Sequence, residues 1–206
     1  VDFKAPEVTA IEVSAKNLLA RGEDTYVING FEDIDSITAR FADNAADKLD
    51  VTYVSGGAYN TARIGAYEFA VKNLMRSDFS PAYDGITRYN YTFNVTDMGK
   101  NSASGFVSFI LDLNAPTIYY ADLSGIENKT NADSVEVEMY YDHDEYETPE
   151  DIVITADGAE IADKSEIGVI KLRVTENGTV TVKTVDAKGK TGEKSFEVNC
   201  FDREAP

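Results

Sequence analysis

The sequence predicts an all-β protein made of two β-sandwich domains in tandem, and three observations lead to this prediction. Val, Ile, Thr, Tyr and Phe are abundant, with 12 Tyr, 10 Phe and no Trp among the 206 residues. This is the mixture that packs well on pleated strands. Apolar and polar residues alternate with a period of two along several segments. The pattern Asp-x-x-Ala-Pro occurs three times, at residues 2–6, 112–116 and 202–206.

The alternating runs indicate strands that a core covers on one face only. The apolar members of four such runs are Tyr89, Tyr91, Phe93 and Val95; Val135, Val137 and Met139; Val180 and Val182; and Phe196, Val198 and Cys200. The residues between them are mostly polar, as is typical of antiparallel strands in a sandwich. Turn sequences containing Gly separate the runs, at residues 29–30, 84–85, 157–158, 177–178 and 188–192.

The three Asp-x-x-Ala-Pro copies lie 110 and 90 residues apart, which suits sandwich domains of about 100 residues. The last two copies each follow a strand, an Asp with a Gly-containing turn, and another strand. Asp97 precedes Asp112 by 15 residues, and Asp186 precedes Asp202 by 16. Proline donates no N–H to a sheet and keeps the preceding residue extended, so Ala-Pro is a suitable domain boundary. We therefore predict domains at residues 1–115 and 116–206.

The middle of the first predicted domain is less regular. Residues 44–50 fit a short helical turn, residues 55–59 a bulge or turn, and residues 75–85 a loop. Residues 66–75 fit either a helix or a strand, and the alternation of Tyr67, Phe69 and Val71 with less apolar neighbours favours a strand.

Charge and cysteine content restrict the partners and the cellular location. The net charge is −18 and the pI is near 4.3, so the surface repels nucleic acids and anionic membranes. Residues 116–206 carry 21 acidic and 9 basic residues, against 16 and 10 in residues 1–115. No apolar run of membrane-spanning length occurs. The single cysteine, Cys200, excludes an intrachain disulfide, which fits a cytosolic protein or a disulfide-free bacterial surface protein. A start at Val1 rather than Met suggests a fragment or a processed product.

The last third of the chain, "VTENGTVTVKTVDAKGKTGEKSFEVNCFDREAP" (residues 174–206), resembles the closing strands of bacterial Ig-like domains that occur in tandem on cell-surface proteins. Asn177-Gly178 corresponds to the first turn of that pattern, Asp186 and Gly189 to the second, and Asp202 to the exit. Residues 130–139 resemble an early strand of the family. In residues 1–115 the resemblance rests on "VTDMGKNS" and the flanking repeats, and the middle departs from the pattern.

The resemblance implies two tandem immunoglobulin-like sandwiches in a larger extracellular protein of the cell surface or cell wall. Neighbouring modules of the same chain would be the first partners. Members of the family serve as spacers, display or adhesion modules, or as accessory domains of secreted carbohydrate-active enzymes. The expected role is therefore non-enzymatic, with a glycan- or host-protein-binding module as the alternative. Some disulfide-free surface sandwiches carry a Lys–Asn isopeptide bond, but no suitable triplet of residues stands out here.

The sequence contains no recognisable catalytic constellation. The single histidine, His143, lies between Asp142 and Asp144 and is expected on the surface. One His and one Cys make neither a zinc site nor a His-based triad. Cys200 shares a face with Phe196 and Val198, so we expect a small buried hydrophobe rather than a nucleophile.

The acidic loops suggest calcium as a cofactor, because this ion takes six to eight oxygen ligands. Residues 142–151, "DHDEYETPED", supply Asp142 and Asp144 as candidates but lack the spacing of an EF-hand, and a solvated acidic loop is the alternative. At the domain junction, Asp112 and Asn114 are candidates that could meet acidic residues from loops of the second domain.

Tyrosines of the second domain raise the possibility of sugar binding, because exposed aromatic rings can stack on pyranose rings. The candidates are Tyr120, Tyr141 and Tyr146. The alternative follows from strand alternation: in each of the pairs Tyr119-Tyr120 and Tyr140-Tyr141, one ring fills the core and the other lies on the surface.

Overall fold

The computed structural model describes residues 4–43, 50–53, 61–65, 67–82 and 87–203. Regular structure in these ranges is β-strand apart from three short 3-10 turns, at Phe31–Asp33, Arg76–Asp78 and Ser124–Ile126, which confirms the all-β prediction. The chain forms two compact units, the N-terminal unit Val1–Asp112 and the C-terminal unit Leu113–Pro206. Among the described residues, no helix has the length and apolar character needed to cross a membrane.

The C-terminal unit consists of two antiparallel sheets. Its strands are β11 (Ile118–Asp122), β12 (Val135–Tyr141), β13 (Val153–Asp157), β14 (Glu160–Asp163), β15 (Val169–Val174), β16 (Gly178–Val185) and β17 (Thr191–Val198). The numbering continues from the strands of the N-terminal unit, which are described next. The seven strands form one sheet in the order β11-β12-β15-β14 and another in the order β13-β16-β17. With the seven strands lettered A to G, these are the ABED and CFG sheets of an immunoglobulin constant-type sandwich.

The N-terminal unit has the same arrangement with an inserted hairpin and one further short strand. Its strands are β1 (Glu7–Ala15), β2 (Leu19–Ala20), β3 (Thr25–Ile28), β4 (Ile34–Ala42), β5 (Asp50–Tyr53), β6 (Thr61–Arg63), β7 (Glu68–Lys72), β8 (Ser80–Pro81), β9 (Arg88–Thr96) and β10 (Ser102–Leu111). The sheet β1-β4-β7-β6 corresponds to ABED, and β5, β9 and β10 correspond to CFG. The inserted hairpin β2–β3 extends the second sheet, because β3 pairs in parallel with β10.

Each unit has its own hydrophobic core. In the N-terminal unit, Phe79 contacts both Tyr91 and Phe109, with ring centroids 5.5 and 5.4 Å apart. In the C-terminal unit the core consists mainly of aliphatic residues, including Ile170 and Leu172 of β15. Each such side chain contributes about 1.5–3 kcal/mol when it is fully buried.

The predicted alternation is confirmed in β9, β12, β16 and β17, where the residues predicted to face inward are buried or half-buried and their polar neighbours are more exposed. Cys200, just after β17, is buried as expected. The prediction for Gly192 is wrong, because the sequence places it in the turn at residues 188–192 and it lies within β17.

An Asp closes the last hairpin of both units in a similar way. The backbone N–H of Asn101 donates to Asp97 Oδ1 at 2.8 Å. In the C-terminal unit, Asp186 Oδ1 accepts from the N–H groups of Lys188 and Lys190 at 2.8 and 2.9 Å. A carboxylate that binds backbone N–H groups stabilises a tight turn. This explains the Asp that precedes each Gly-containing turn in the sequence.

The Asp of the Asp-x-x-Ala-Pro pattern lies beyond the final strand of both units, directly after β10 in the N-terminal unit and four residues after the end of β17 in the C-terminal unit. Asp112 donates its backbone N–H to Ile28 O at 2.9 Å, and Asp202 donates to Thr130 O at 3.0 Å. In both units the preceding residue is paired in parallel with the accepting segment, Leu111 with Ile28 and Phe201 with Thr130.

In the middle of the N-terminal unit, the structure confirms some of the sequence predictions and differs from others. The strand predicted within residues 66–75 is confirmed by β7, although Tyr67 precedes the strand and donates its hydroxyl to Asp43 O at 3.3 Å. The predicted loop at residues 75–85 begins with a 3-10 turn and then β8, which pairs with β9. The predicted features at residues 44–49, 55–59 and 84–85 lie outside the described residues.

Candidate functional site

The entry segment of the C-terminal unit, residues 113–117, is fixed by the loop between β12 and β13. Asp144 Oδ2 accepts the backbone N–H groups of Leu113 and Asn114, each at 3.1 Å. Asp144 Oδ1 accepts from Asn114 Nδ2 at 2.6 Å. Hydrogen bonds to an ionised carboxylate are stronger than neutral ones, so Asp144 holds the start of this unit firmly in place.

A second contact fixes the proline of the entry segment. The Thr184 hydroxyl donates to Pro116 O. A Cβ at Gly192 would lie 2.2 Å from the same carbonyl oxygen and 2.7 Å from Thr184 Oγ1. Glycine is therefore required in β17 because the backbone at Pro116 approaches the strand too closely for any side chain.

Three acidic residues are enclosed in the same unit: Asp144, Glu147 and Asp186 are 5%, 7% and 4% exposed. Glu147 Oε2 accepts the N–H of Asp144 at 2.6 Å, while Glu147 Oε1 and Asp186 Oδ2 have no hydrogen-bond donor. Burial raises the pKa of Glu147, and the negative charges of Asp186 and Asp144 add to this, against the lowering effect of the Asp144 N–H and of His143.

The structure places the calcium candidates in different surroundings. Asp142 is exposed, and Asp112 is buried in the N-terminal unit. Asn114 does meet the acidic Asp144, as the sequence suggested, but through direct hydrogen bonds. Within the described ranges, no group of three or more His, Cys, Asp or Glu side chains is arranged to hold a metal ion. The alternative of a solvated acidic loop is wrong for Asp144 and Glu147, because both fold inward.

Exposed tyrosines lie on β11, an edge strand. Tyr119 and Tyr120 are 59% and 52% exposed, so the expectation that one of them fills the core is wrong. The register between β11 and β12 shifts between the pairs Ile118–Tyr141 and Tyr120–Tyr140. Such a bulge adds a residue to one strand and interrupts its alternation. Both rings consequently lie outside, while Ile118 and Ala121 face the core.

The tyrosines of β12 follow the alternation as predicted. Tyr141 is buried in the core, so it cannot serve as the sugar-stacking residue considered from the sequence. Tyr146 is half-buried, and its hydroxyl oxygen is enclosed. Tyr140 is half-buried on the outer face, where its ring centroid lies 5.8 Å from that of Tyr120 at an interplanar angle of 42°. The candidate pair is therefore Tyr120 and Tyr140.

Charged side chains extend the outer face beside this pair. The Tyr140 hydroxyl donates to Glu138 Oε1, and this bond, with burial and the charge of Glu138, raises the pKa of Tyr140 to about 12. Lys171 Nζ lies 3.8 Å from Glu138 Oε2. Asp122 is opposite Glu138 in the register, and the backbone N–H and hydroxyl of Ser124 lower the pKa of this carboxyl group. A depression of about 220 Å³ is lined in part by Asp122, Glu138 and Lys171.

We call Tyr120, Tyr140, Asp122, Glu138 and Lys171 the tyrosine face. Sequence reasoning had selected only Tyr120 of these five. Period-two alternation could have identified Glu138 and Tyr140 as outward neighbours on β12. The positions of Asp122 and Lys171 beside them depend on strand pairing, which a single sequence does not show.

The remaining candidates are His143, Cys200 and the lysines. Among the described residues, none of them lies in a catalytic arrangement. His143 is exposed, with Nδ1 3.2 Å from Asp144 O. Cys200 is enclosed in the core. All described lysines are at least partly exposed, whereas an isopeptide bond would need a buried one.

Comparisons with known proteins give structural similarity only. No family model matches the sequence, and no curated protein matches it. The human desmocollin-1 ectodomain matches at 16% identity and a TM-score of 0.37, over 94% of this chain and 38% of that one. A C-terminal intimin fragment, solved with an intimin-binding domain, matches at 14% identity and a TM-score of 0.39, over 93% of this chain and 64% of that one.

A third solved structure in the comparison is a glycan-utilisation protein of Bacteroides ovatus, SGBP-B, solved with a mixed-linkage heptasaccharide. It matches at 10% identity and a TM-score of 0.31, over 95% of this chain and 48% of that one. The chain thus spans less than two thirds of the length of each of these three structures. Identities and TM-scores this low carry no information about the activity of the chain.

Proposed function

We propose that the chain is a pair of non-enzymatic spacer or display modules from a larger bacterial surface protein. Its role would be to hold an adhesive or binding part away from the cell. The bacterial and extracellular location is inferred from the Ig-like pattern of residues 174–206.

One observation supports the spacer role above the others. The backbone N–H of Asp112 is bonded within the N-terminal unit, to Ile28 O. The next N–H, of Leu113, is bonded within the C-terminal unit, to Asp144. No residue is left over between these two anchors to act as a flexible linker, and flexible polar residues are what normally allow neighbouring domains to move independently.

Backbone ¹⁵N relaxation tests this proposal. We expect the two units of the unmodified chain to report the same rotational correlation time. Inserting an eight-residue Gly-Ser segment between Asp112 and Leu113 should shorten and separate the two times, because the inserted residues behave as a flexible coil. The same insertion after Asp133, in the exposed loop before β12, is the matched control and should leave them equal.

Separate, short correlation times in the unmodified chain would refute the spacer role. An insertion after Asp112 that changed nothing would show that the direct connection is not what limits motion.

A further inference from the structure

We infer that the tyrosine face is a binding site for an uncharged glycan, with Tyr120 and Tyr140 as the stacking surface and Asp122, Glu138 and Lys171 as the groups that bind sugar hydroxyls. This goes beyond the proposed spacer role and does not depend on it. A module with this site would display its own ligand-binding surface.

The two rings are available and oriented. Tyr120 is about half exposed, and Tyr140 lies next to it with a centroid distance of 5.8 Å. The C–H faces of a pyranose pack against aromatic rings through dispersion and the negative ring face. The bond from the Tyr140 hydroxyl to Glu138 restricts the rotation of that ring. A ring that is already fixed loses less conformational entropy when a ligand binds.

Polar groups lie beside the rings. Glu138 precedes Tyr140 by two positions on β12 and therefore projects from the same face. Asp122 holds the corresponding position on β11, two residues after Tyr120. Lys171 is opposite Glu138 on β15. Hydroxyl groups of a sugar can donate to the two carboxylates and accept from the ammonium group, and such charge-assisted bonds are stronger than neutral ones.

Charge selects the class of glycan. The depression beside the rings is lined by three carboxylates, Asp122, Glu136 and Glu138, and one ammonium group, Lys171. The whole chain carries a net charge of −18. An acidic polysaccharide would meet like charge at the site and at long range, so the ligand chemistry that fits is a neutral hexopyranose chain.

An NMR titration of the 206-residue chain tests the inference, with cellohexaose and β-1,4-mannohexaose as neutral probes and hexagalacturonate as the acidic one. We expect at least one neutral probe to shift backbone signals of β11 and β12 with a Kd of about 0.1–5 mM, typical of a small open site. Tyr120→Ala and Tyr140→Ala should each weaken binding about tenfold, by loss of ring stacking. Tyr120→Phe should retain it, since the ring face remains.

Tyr119→Ala is the matched control, because Tyr119 is equally exposed but lies at the bulge, outside the ring pair. It should change the Kd less than twofold. The inference is overturned if neither neutral probe shifts these signals at about 10 mM, a concentration that detects Kd values weaker than 1 mM. It is also overturned if Tyr119→Ala weakens binding as much as Tyr120→Ala, or if hexagalacturonate binds more tightly. Those results would leave the relaxation test of the spacer role unaffected.

Discussion

Glu147 is the residue whose surroundings most clearly link structure to pH. Its carboxyl group is buried near Asp186 and Asp144, and its pKa lies above the usual value of 4.5. The folded state therefore binds this proton more tightly than the unfolded state does. The free energy of unfolding falls as pH rises from about 4.5 through the raised folded pKa, because there the native state must lose a proton that it prefers to keep.

Replacing Glu147 with Gln tests this linkage. Gln keeps an oxygen to accept the Asp144 N–H but carries no charge. We expect Glu147→Gln to raise the free energy of unfolding at pH 8 by about 1 kcal/mol, the scale of relieving an unpaired buried charge, and to have little effect at pH 4. Urea unfolding at both values measures this. Glu145→Gln, at an exposed neighbouring position, should stay within about 0.5 kcal/mol. Equal destabilisation by Glu147→Gln at both pH values would contradict the assignment.

At the scale of elements, β17 depends on one glycine. A Cβ at residue 192 would lie 2.2 Å from Pro116 O, so either the strand or the entry segment has to move. We expect Gly192→Ala to destabilise the C-terminal unit by about 1–3 kcal/mol or more, as overpacking does in other cores. Glu193→Ala, on the same strand but exposed, removes only the surface ion pair with Lys183 and should cost about 0–1 kcal/mol. Thermal unfolding of both variants measures the difference, and equal melting temperatures would show that the close approach at Gly192 is unimportant.

Strands that are marked by the alternation of their own residues could be predicted from the sequence. Features that depend on contact with a segment far away in the chain could not. Alternation was sufficient for β9, β12, β16 and β17, since burial on one face is visible in the sequence. The bulge at Tyr119 was missed because it is defined by the pairing of β11 with β12. Gly192 was taken for a turn residue because the carbonyl that it accommodates is 76 positions earlier. The sequence predicted that Asn114 could meet an acidic loop residue of the second domain through calcium, but it did not identify Asp144 as that residue or as a direct acceptor.

At the scale of the whole chain, repeated local chemistry indicates related modules. Both units have constant-type strand order and an Asp that binds the last hairpin turn. In both, the Asp of the Asp-x-x-Ala-Pro pattern bonds to the residue that pairs in parallel with its predecessor. The sequence revealed the repeat and its spacing, but the order of strands in the sheets depends on nonlocal pairing. The inserted hairpin β2–β3 was not predicted, because its strands are only two and four residues long.

The entry segment makes residues 113–116 of the second Asp-x-x-Ala-Pro copy part of the unit that follows it, whereas Asp112 belongs to the unit before it. Thermal unfolding of two shortened chains, residues 113–206 and residues 117–206, tests this most directly. The longer one should unfold in a single cooperative transition. The shorter one lacks the three hydrogen bonds that Leu113 and Asn114 donate to Asp144 and the one that Pro116 O accepts from Thr184. It should be less stable by about 4 kcal/mol or more, given about 1 kcal/mol for each lost bond and more for bonds to a carboxylate. Asp144→Ala in residues 113–206 should show a loss of similar size. Equal stability of the two shortened chains, or a 113–206 chain that does not unfold cooperatively, would contradict the assignment.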